Sequence, residues 1–146
     1  FAGAITGATI AWLAYQQHFA ATADKDLKLA VFCNAPAIRS VFPNLLTEII
    51  ATFVLMFGAL CITQPAGVKI GSFEALPVSL LVLGIGLSLG GPTGYAINPT
   101  RDLGPRIAHF ILPIPGKRDS DWGYSWIPVV GPIAGALLAA FLFRQL

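Results

Sequence analysis

The stretch Gly90-Gly-Pro-Thr-Gly-Tyr-Ala-Ile-Asn-Pro-Thr-Arg-Asp-Leu-Gly-Pro105 joins two long apolar segments, yet it is rich in glycine, proline and polar side chains. Gly90, Gly91 and Gly94 open backbone angles closed to other residues, so a non-helical run is expected before Asn98. Asn98 is a good N-cap, and Pro99 suits the first helical position, where its missing N–H costs nothing. The helix so started is expected to end near Ile107, too short to cross a bilayer, which takes about 20 residues. Irregular backbone followed by half a helix persists at membrane depth only where it is buried in protein or lines a water-filled cavity. The stretch therefore points to a pore or a binding site.

Membrane depth is at issue because of composition. Of 146 residues, 55% are hydrophobic and 11% charged, whereas a soluble domain carries about 25% charged residues. The net charge of +2, with no basic run, argues against nucleic acid as a partner. Two cysteines, Cys33 and Cys61, cannot form a disulfide framework and read as small hydrophobes. No charged stretch with a cleavage site marks a signal peptide. The start at Phe1, in mid-helix pattern and without methionine, reads as that of a fragment.

Four spans are expected. Residues 1–19 hold His18 as their one basic or acidic side chain, and Gly3 and Gly7 are spaced to admit a neighbouring helix. Trp12 and Tyr15 approach the polar end of this span, as in an interfacial belt. Residues 20–44 form a polar surface loop with a short helix before Pro36. Residues 45–63 are apolar except for Glu48, and 64–74 form a short polar turn. Residues 75–89, with Pro77 in the first turn, make the third span, and 124–142 the fourth. Gly131, Gly135 and Ala139 repeat the close-packing spacing. Lys and Arg counts in the loops do not settle orientation.

The pattern Gly-Pro-Thr-Gly-Tyr-Ala-Ile-Asn-Pro-Thr-Arg-Asp at 91–102 resembles the second signature loop of the aquaporin superfamily. It is most similar to the aquaglyceroporin branch, which includes bacterial glycerol facilitators. The resemblance implies an all-α membrane bundle with a re-entrant half-helix, made of the second inverted repeat plus the last helix of the first. Residues 1–19 would end the first repeat, 20–44 form an extracellular loop and 45–146 the second repeat, with the re-entrant element at 90–107. It further implies Asn98 as the pore-lining amide, Arg101 as the arginine of the selectivity constriction and Tyr95 as an aromatic beside it. Gly86 would stand where strict water channels carry histidine. Asp102 is typical of the glycerol branch, and Glu48 matches a buried glutamate that supports the signature loop. Thr100 departs from the usual alanine.

Each residue also has a plainer reading. Asn98-Pro99 alone is an ordinary helix cap, Tyr95 a packing aromatic, Gly86 a helix-packing glycine, and Asp102 a first-turn acid favoured by the helix dipole. Glu48 could carry protons, although free loop N–H groups need an acceptor such as this one. His18 and His109 read as interfacial, and Lys117, Arg118, Asp119 and Asp121 as a solvated loop.

The leading expectation is a passive channel for glycerol and similar polyols with water, in a bacterial plasma membrane, multi-pass, lipid-embedded and homotetrameric. It needs no cofactor, metal or catalytic residue. A mainly water-selective pore and an ion-coupled transporter using Glu48 and Asp102 are the alternatives. A membrane enzyme is disfavoured, since no nucleophile–base spacing or metal-ligand cluster is visible.

Overall fold

The structure, a computed structural model, describes residues 1–63, 73 and 75–146. Among the described residues seven helices run in chain order: α1 (Ala2–Ala14), α2 (Gln16–Ala21), α3 (Lys25–Ala30), α4 (Val41–Thr63), α5 (Leu76–Thr93), α6 (Pro99–Ile111) and α7 (Ile127–Phe143). The expected turn at 64–74 lies outside the described residues, apart from Phe73.

Boundaries differ from expectation where capping chemistry decides them. The first span breaks at Tyr15, whose N–H is shared between the carbonyls of Ala11 and Trp12, and resumes as α2. The short helix before Pro36 is α3, started by Asp24, whose carboxylate accepts from the N–H groups of Asp26 and Leu27. Helix α4 begins at Val41 rather than Leu45, with Pro43 inside its first turn. First-turn N–H groups have no intrahelical partner, so proline does no harm there. Helix α5 continues through Gly90, Gly91 and Pro92 instead of ending at Leu89. The non-helical run shrinks to residues 94–98, so Gly90 and Gly91 do not serve as a flexible approach.

Helix α6 reaches Ile111 rather than Ile107 because its last carbonyls find a donor. The Lys117 ammonium donates to the carbonyls of His109 (2.5 Å), Phe110 (2.9 Å) and Leu112 (2.7 Å). At 13 residues, α6 is still only about 20 Å long, against about 30 Å of hydrocarbon. Helices α4 and α5 are long and apolar enough to span, and α1 and α7 are shorter apolar helices. Large apolar side chains such as Ile10, Leu83, Leu87, Leu137 and Phe141 face outward, while Glu48, Asp102 and Arg106 are wholly buried. That inversion is what a hydrocarbon surround produces.

Helix α4 packs chiefly on α7, then on α5; α6 rests on α1 and α7. The α4–α7 seam depends on glycine. A Cβ at Gly131 would stand 2.6 Å from that of Glu48, and one at Gly135 only 2.4 Å from the Ile49 carbonyl oxygen and 2.9 Å from the Phe53 nitrogen. Gly3 and Gly7 face open space; α1 instead meets α6 through Ala4 against Gly104, where a Cβ would lie 2.6 Å from that of Ala4. A second core, of Phe19, Leu29, Phe32, Cys33, Ala108 and Ile114, joins the α2–α3 region to the C-terminal end of α6.

Gly135→Val meets fixed backbone rather than a yielding side chain, so it should destabilise the fold by about 3 kcal/mol or more. A thermal melt of the detergent-solubilised protein within a degree or two of the unmutated one would show that the seam is not so tight.

Candidate functional site

The reversal from α5 to α6 is made over five residues, three of them at positive φ: Gly94 (75°), Tyr95 (43°) and Ile97 (46°). Left-handed backbone costs a non-glycine residue roughly 1–2 kcal/mol, so Tyr95 and Ile97 must be held. Glu48, wholly buried on α4, holds them. Its Oε1 accepts from the Thr93 hydroxyl (2.6 Å) and the Ala96 N–H (3.0 Å), and its Oε2 from the Ile97 N–H (2.9 Å). Two backbone donors that would otherwise be orphaned in the interior are thereby satisfied.

Asn98 caps α6, its Oδ1 accepting from the Thr100 N–H at 2.8 Å. One turn of helix brings Asn98 and Arg101 to the same wall of a cleft of about 500 Å³, with Tyr95, Thr52, Met56 and Val82. The Asn98 amide group has its oxygen used and its NH2 without a partner among the described residues. The Arg101 guanidinium lies 5.2 Å from the centre of the Tyr95 ring and forms no ion pair among the described residues. The cleft thus combines a fixed positive charge, an amide donor and the positive end of a helix with an aliphatic and aromatic wall.

Gly86 does not border this cleft. It lines a neighbouring one of about 420 Å³ with Ser79, Leu83 and Leu87, and the Tyr95 ring stands between the two. A Cβ at Gly86 would lie 3.2 Å from Tyr95 Cζ, and one at Gly90 would lie 2.9 Å from Cδ1. The two glycines one helical turn apart make a bare strip on which the ring rests; their missing side chains matter here, not backbone freedom.

Asp102 turns away from the cleft. Its carboxylate accepts from Arg106 Nε (2.8 Å) and Nη2 (2.9 Å) and from the Asn34 N–H (2.7 Å), all buried. Asp102 is therefore more than a first-turn acid. Arg106, which sequence reasoning passed over, donates further to the carbonyls of Ser120 (2.6 Å), Asp121 (2.9 Å) and Asn34 (3.1 Å). All five of its N–H groups are used, the condition for burying a guanidinium. The four-residue spacing of Asp102 and Arg106 was the available signal.

The connecting loops are also more ordered than a solvated reading allows. His109 is buried, its Nδ1 2.8 Å from the Ser120 hydroxyl and its ring edge-on to Phe32. Asp121 is nearly buried and pairs with Arg39, and Lys28 is buried with its ammonium on the Pro115 carbonyl. Arg118 pairs with the exposed Asp26. Burial lowers the Lys117 ammonium from its ordinary value, and the Asp121 N–H lowers Asp119. The Cys33 thiol is pushed up to about 12 by burial, so it acts as a small apolar side chain.

The sequence profile described as "Major intrinsic protein" matches residues 1–143. The chain is 58% identical over 144 residues to a probable glycerol uptake facilitator protein of Thermotoga maritima, covering 99% of this chain and 61% of that one. It is 54% identical over 142 residues to a glycerol uptake facilitator protein of Bacillus subtilis, covering 97% and 51%. A relative in Lactiplantibacillus plantarum named D/L-lactic acid transporter is 43% identical over 146 residues, covering 97% and 60%. The X-ray structure of the aquaglyceroporin from Plasmodium falciparum superposes with a TM-score of 0.83 at 26% identity, over 99% of this chain and 60% of that chain. The chain therefore spans 51–61% of the length of these curated relatives. Apolar helices around a half-helix whose tip is held by a buried glutamate, matched along nearly the whole chain, lead to one placement: the chain belongs to the major intrinsic protein family, with its all-α, aquaporin-like membrane fold.

Proposed function

We propose that the intact protein is a passive channel for glycerol and similar small polyols, with water passing too. The observation that carries this reading is the single cleft faced by the Asn98 amide, the Arg101 guanidinium and the Tyr95 ring. Polyols have one hydroxylated edge and one carbon edge, so donors on one wall and apolar surface on the other match both. The helix tip and the guanidinium oppose cations and protons. No bond is made or broken, and the concentration gradient drives flux. The glycerol uptake facilitators among its relatives support the same substrate class.

Asn98, Arg101 and Tyr95 line the pathway in this reading. Gly86 acts through Tyr95, by leaving the ring room to lie back. Glu48 and Asp102 support the loop. Three donors converge on the Glu48 carboxylate, which favours a structural acceptor over a proton carrier and so a channel over an ion-coupled transporter. A mainly water-selective pore is the rival within the class, which a tyrosine at position 95 would favour if its ring narrowed the constriction. A relative named D/L-lactic acid transporter fits this reading, since a hydroxy acid presents the same two edges. A homotetramer in a bacterial plasma membrane, each subunit with its own pathway, completes the proposal.

The test is osmotic swelling of vesicles holding the full-length protein, comparing water, glycerol and larger polyols. Water flux without glycerol flux would favour the water-selective rival. Gly86→His drives the Tyr95 ring toward Arg101 and should cut glycerol flux about tenfold or more while sparing water. Unchanged glycerol entry would remove Gly86 from the pathway.

Arg101→Ala removes both bulk and charge, so larger polyols and ions should leak through. Unaltered solute ranking and ion conductance would show that Arg101 is not at the constriction. Glu48→Gln leaves one backbone N–H facing an NH2 group and should cost about 1–3 kcal/mol in stability. Solute flux in the unmutated protein should be insensitive to a pH gradient; flux that follows the gradient would support the transporter.

A further inference from the structure

We propose that Asn34 is a positioning residue for the aperture: without touching the solute, it sets where the Tyr95 ring stands beside Arg101. The proposal rests on the channel reading above. Asn34 lies in the segment between α3 and α4, far from the signature stretch in sequence, and it is almost wholly buried. Its side-chain NH2 donates to the carbonyls of Thr93 (3.3 Å) and Gly94 (2.6 Å), the two residues that immediately precede Tyr95. The neighbouring Ala37 N–H donates to the Pro92 carbonyl at 3.0 Å. A Cβ on Gly94 would come within 2.8 Å of Asn34 Nδ2, so the loop is pressed directly onto the turn.

A hydrogen-bonding side chain positions something only if its own backbone is held. Here the Asn34 N–H donates to Asp102 Oδ1 and its carbonyl accepts from Arg106 Nη2. Both partners belong to the buried pair on α6, and Arg106 also holds the Ser120 and Asp121 carbonyls of the other loop. Asn34 therefore ties the body of the half-helix to its own entry turn. The turn is gripped twice: Asn34 takes the carbonyls of Thr93 and Gly94, and Glu48 takes the Thr93 hydroxyl and the N–H groups of Ala96 and Ile97. Tyr95 sits between the grips at φ 43°, with Gly86 and Gly90 behind its ring and Arg101 before it. If the Asn34 grip is released, the Gly94 peptide is free to rotate, and the displacement is carried outward to the ring.

A purely structural Asn34 predicts something different. Losing it would lower the amount of folded channel and scale every flux alike. A positioning Asn34 changes the ratios between solutes, which do not depend on how much channel is present. Asn34→Ala and Asn34→Asp, the latter of equal size but without a donor, are made in the full-length protein and reconstituted in lipid vesicles. Permeabilities to water, glycerol and a five-carbon polyol are then measured.

The ratio of five-carbon polyol to glycerol should shift about fivefold, equivalent to about 1 kcal/mol of relative barrier, the net worth of one neutral hydrogen bond. Ratios equal to those of the unmutated protein in a variant that assembles would overturn the proposal. Failure of both variants to assemble would make Asn34 a folding residue and overturn it too. An unmutated protein that passes no glycerol would instead sink the channel reading, so the two failures are distinct.

Discussion

A helix that stops partway through a membrane leaves backbone donors where no water waits for them, and Glu48 answers that constraint. Its carboxylate gathers the Thr93 hydroxyl and the N–H groups of Ala96 and Ile97. Orphaned in the interior, each such group would cost about 1–3 kcal/mol. With them satisfied, the chain affords two non-glycine residues at positive φ within four positions and turns from α5 into α6 without a long loop. The tight seam between α4 and α7, set by Gly131 and Gly135, keeps Glu48 in place. Without that seam the carboxylate would not reach the turn, and the tip of α6 would have no defined depth.

Arg101 and Asp102 are neighbours in sequence and separated in environment. One residue along a helix is about 100° of rotation, enough to send Arg101 to the cleft and Asp102 into the protein. Asp102 meets Arg106 one turn later, inside a cage of the Asn34, Ser120 and Asp121 backbones. Removing one partner of such a buried pair costs about 3–5 kcal/mol. Arg101 lacks that cage and keeps its charge available beside the Tyr95 ring. Helix α6 thus holds one arginine, Arg106, bound to the backbones of both loops, and another, Arg101, that faces the cleft.

Much of this is legible in the sequence. The Asn98–Pro99 cap, the brevity of α6 and the apolar runs that became α4, α5 and α7 follow from local rules of capping and helix length. Boundaries differ where a distant group decides them: Lys117 extends α6, and α5 runs on through Gly90, whose bare face lies against the Tyr95 ring. The loop residues depart from a surface reading for a related reason. Lys28, His109 and Asp121 look like surface groups one at a time, and become interior ones only when two loops fold over the end of α6.

Sequence alone determined the kind of object this is, because hydrophobic run length, proline and glycine placement and capping chemistry act within a few residues of one another. Its likeness to the aquaporin signature loop pointed to Asn98, Arg101 and Tyr95, which one helical turn and one short reversal bring to a single cleft. Tertiary structure alone decided that Gly86 stands behind Tyr95 rather than beside Arg101, that Asp102 faces inward to Arg106, and that Asn34 reaches Gly94. Those relations join residues on different elements or fix which way a helix face turns. Packing between elements sets both, and no local pattern encodes it.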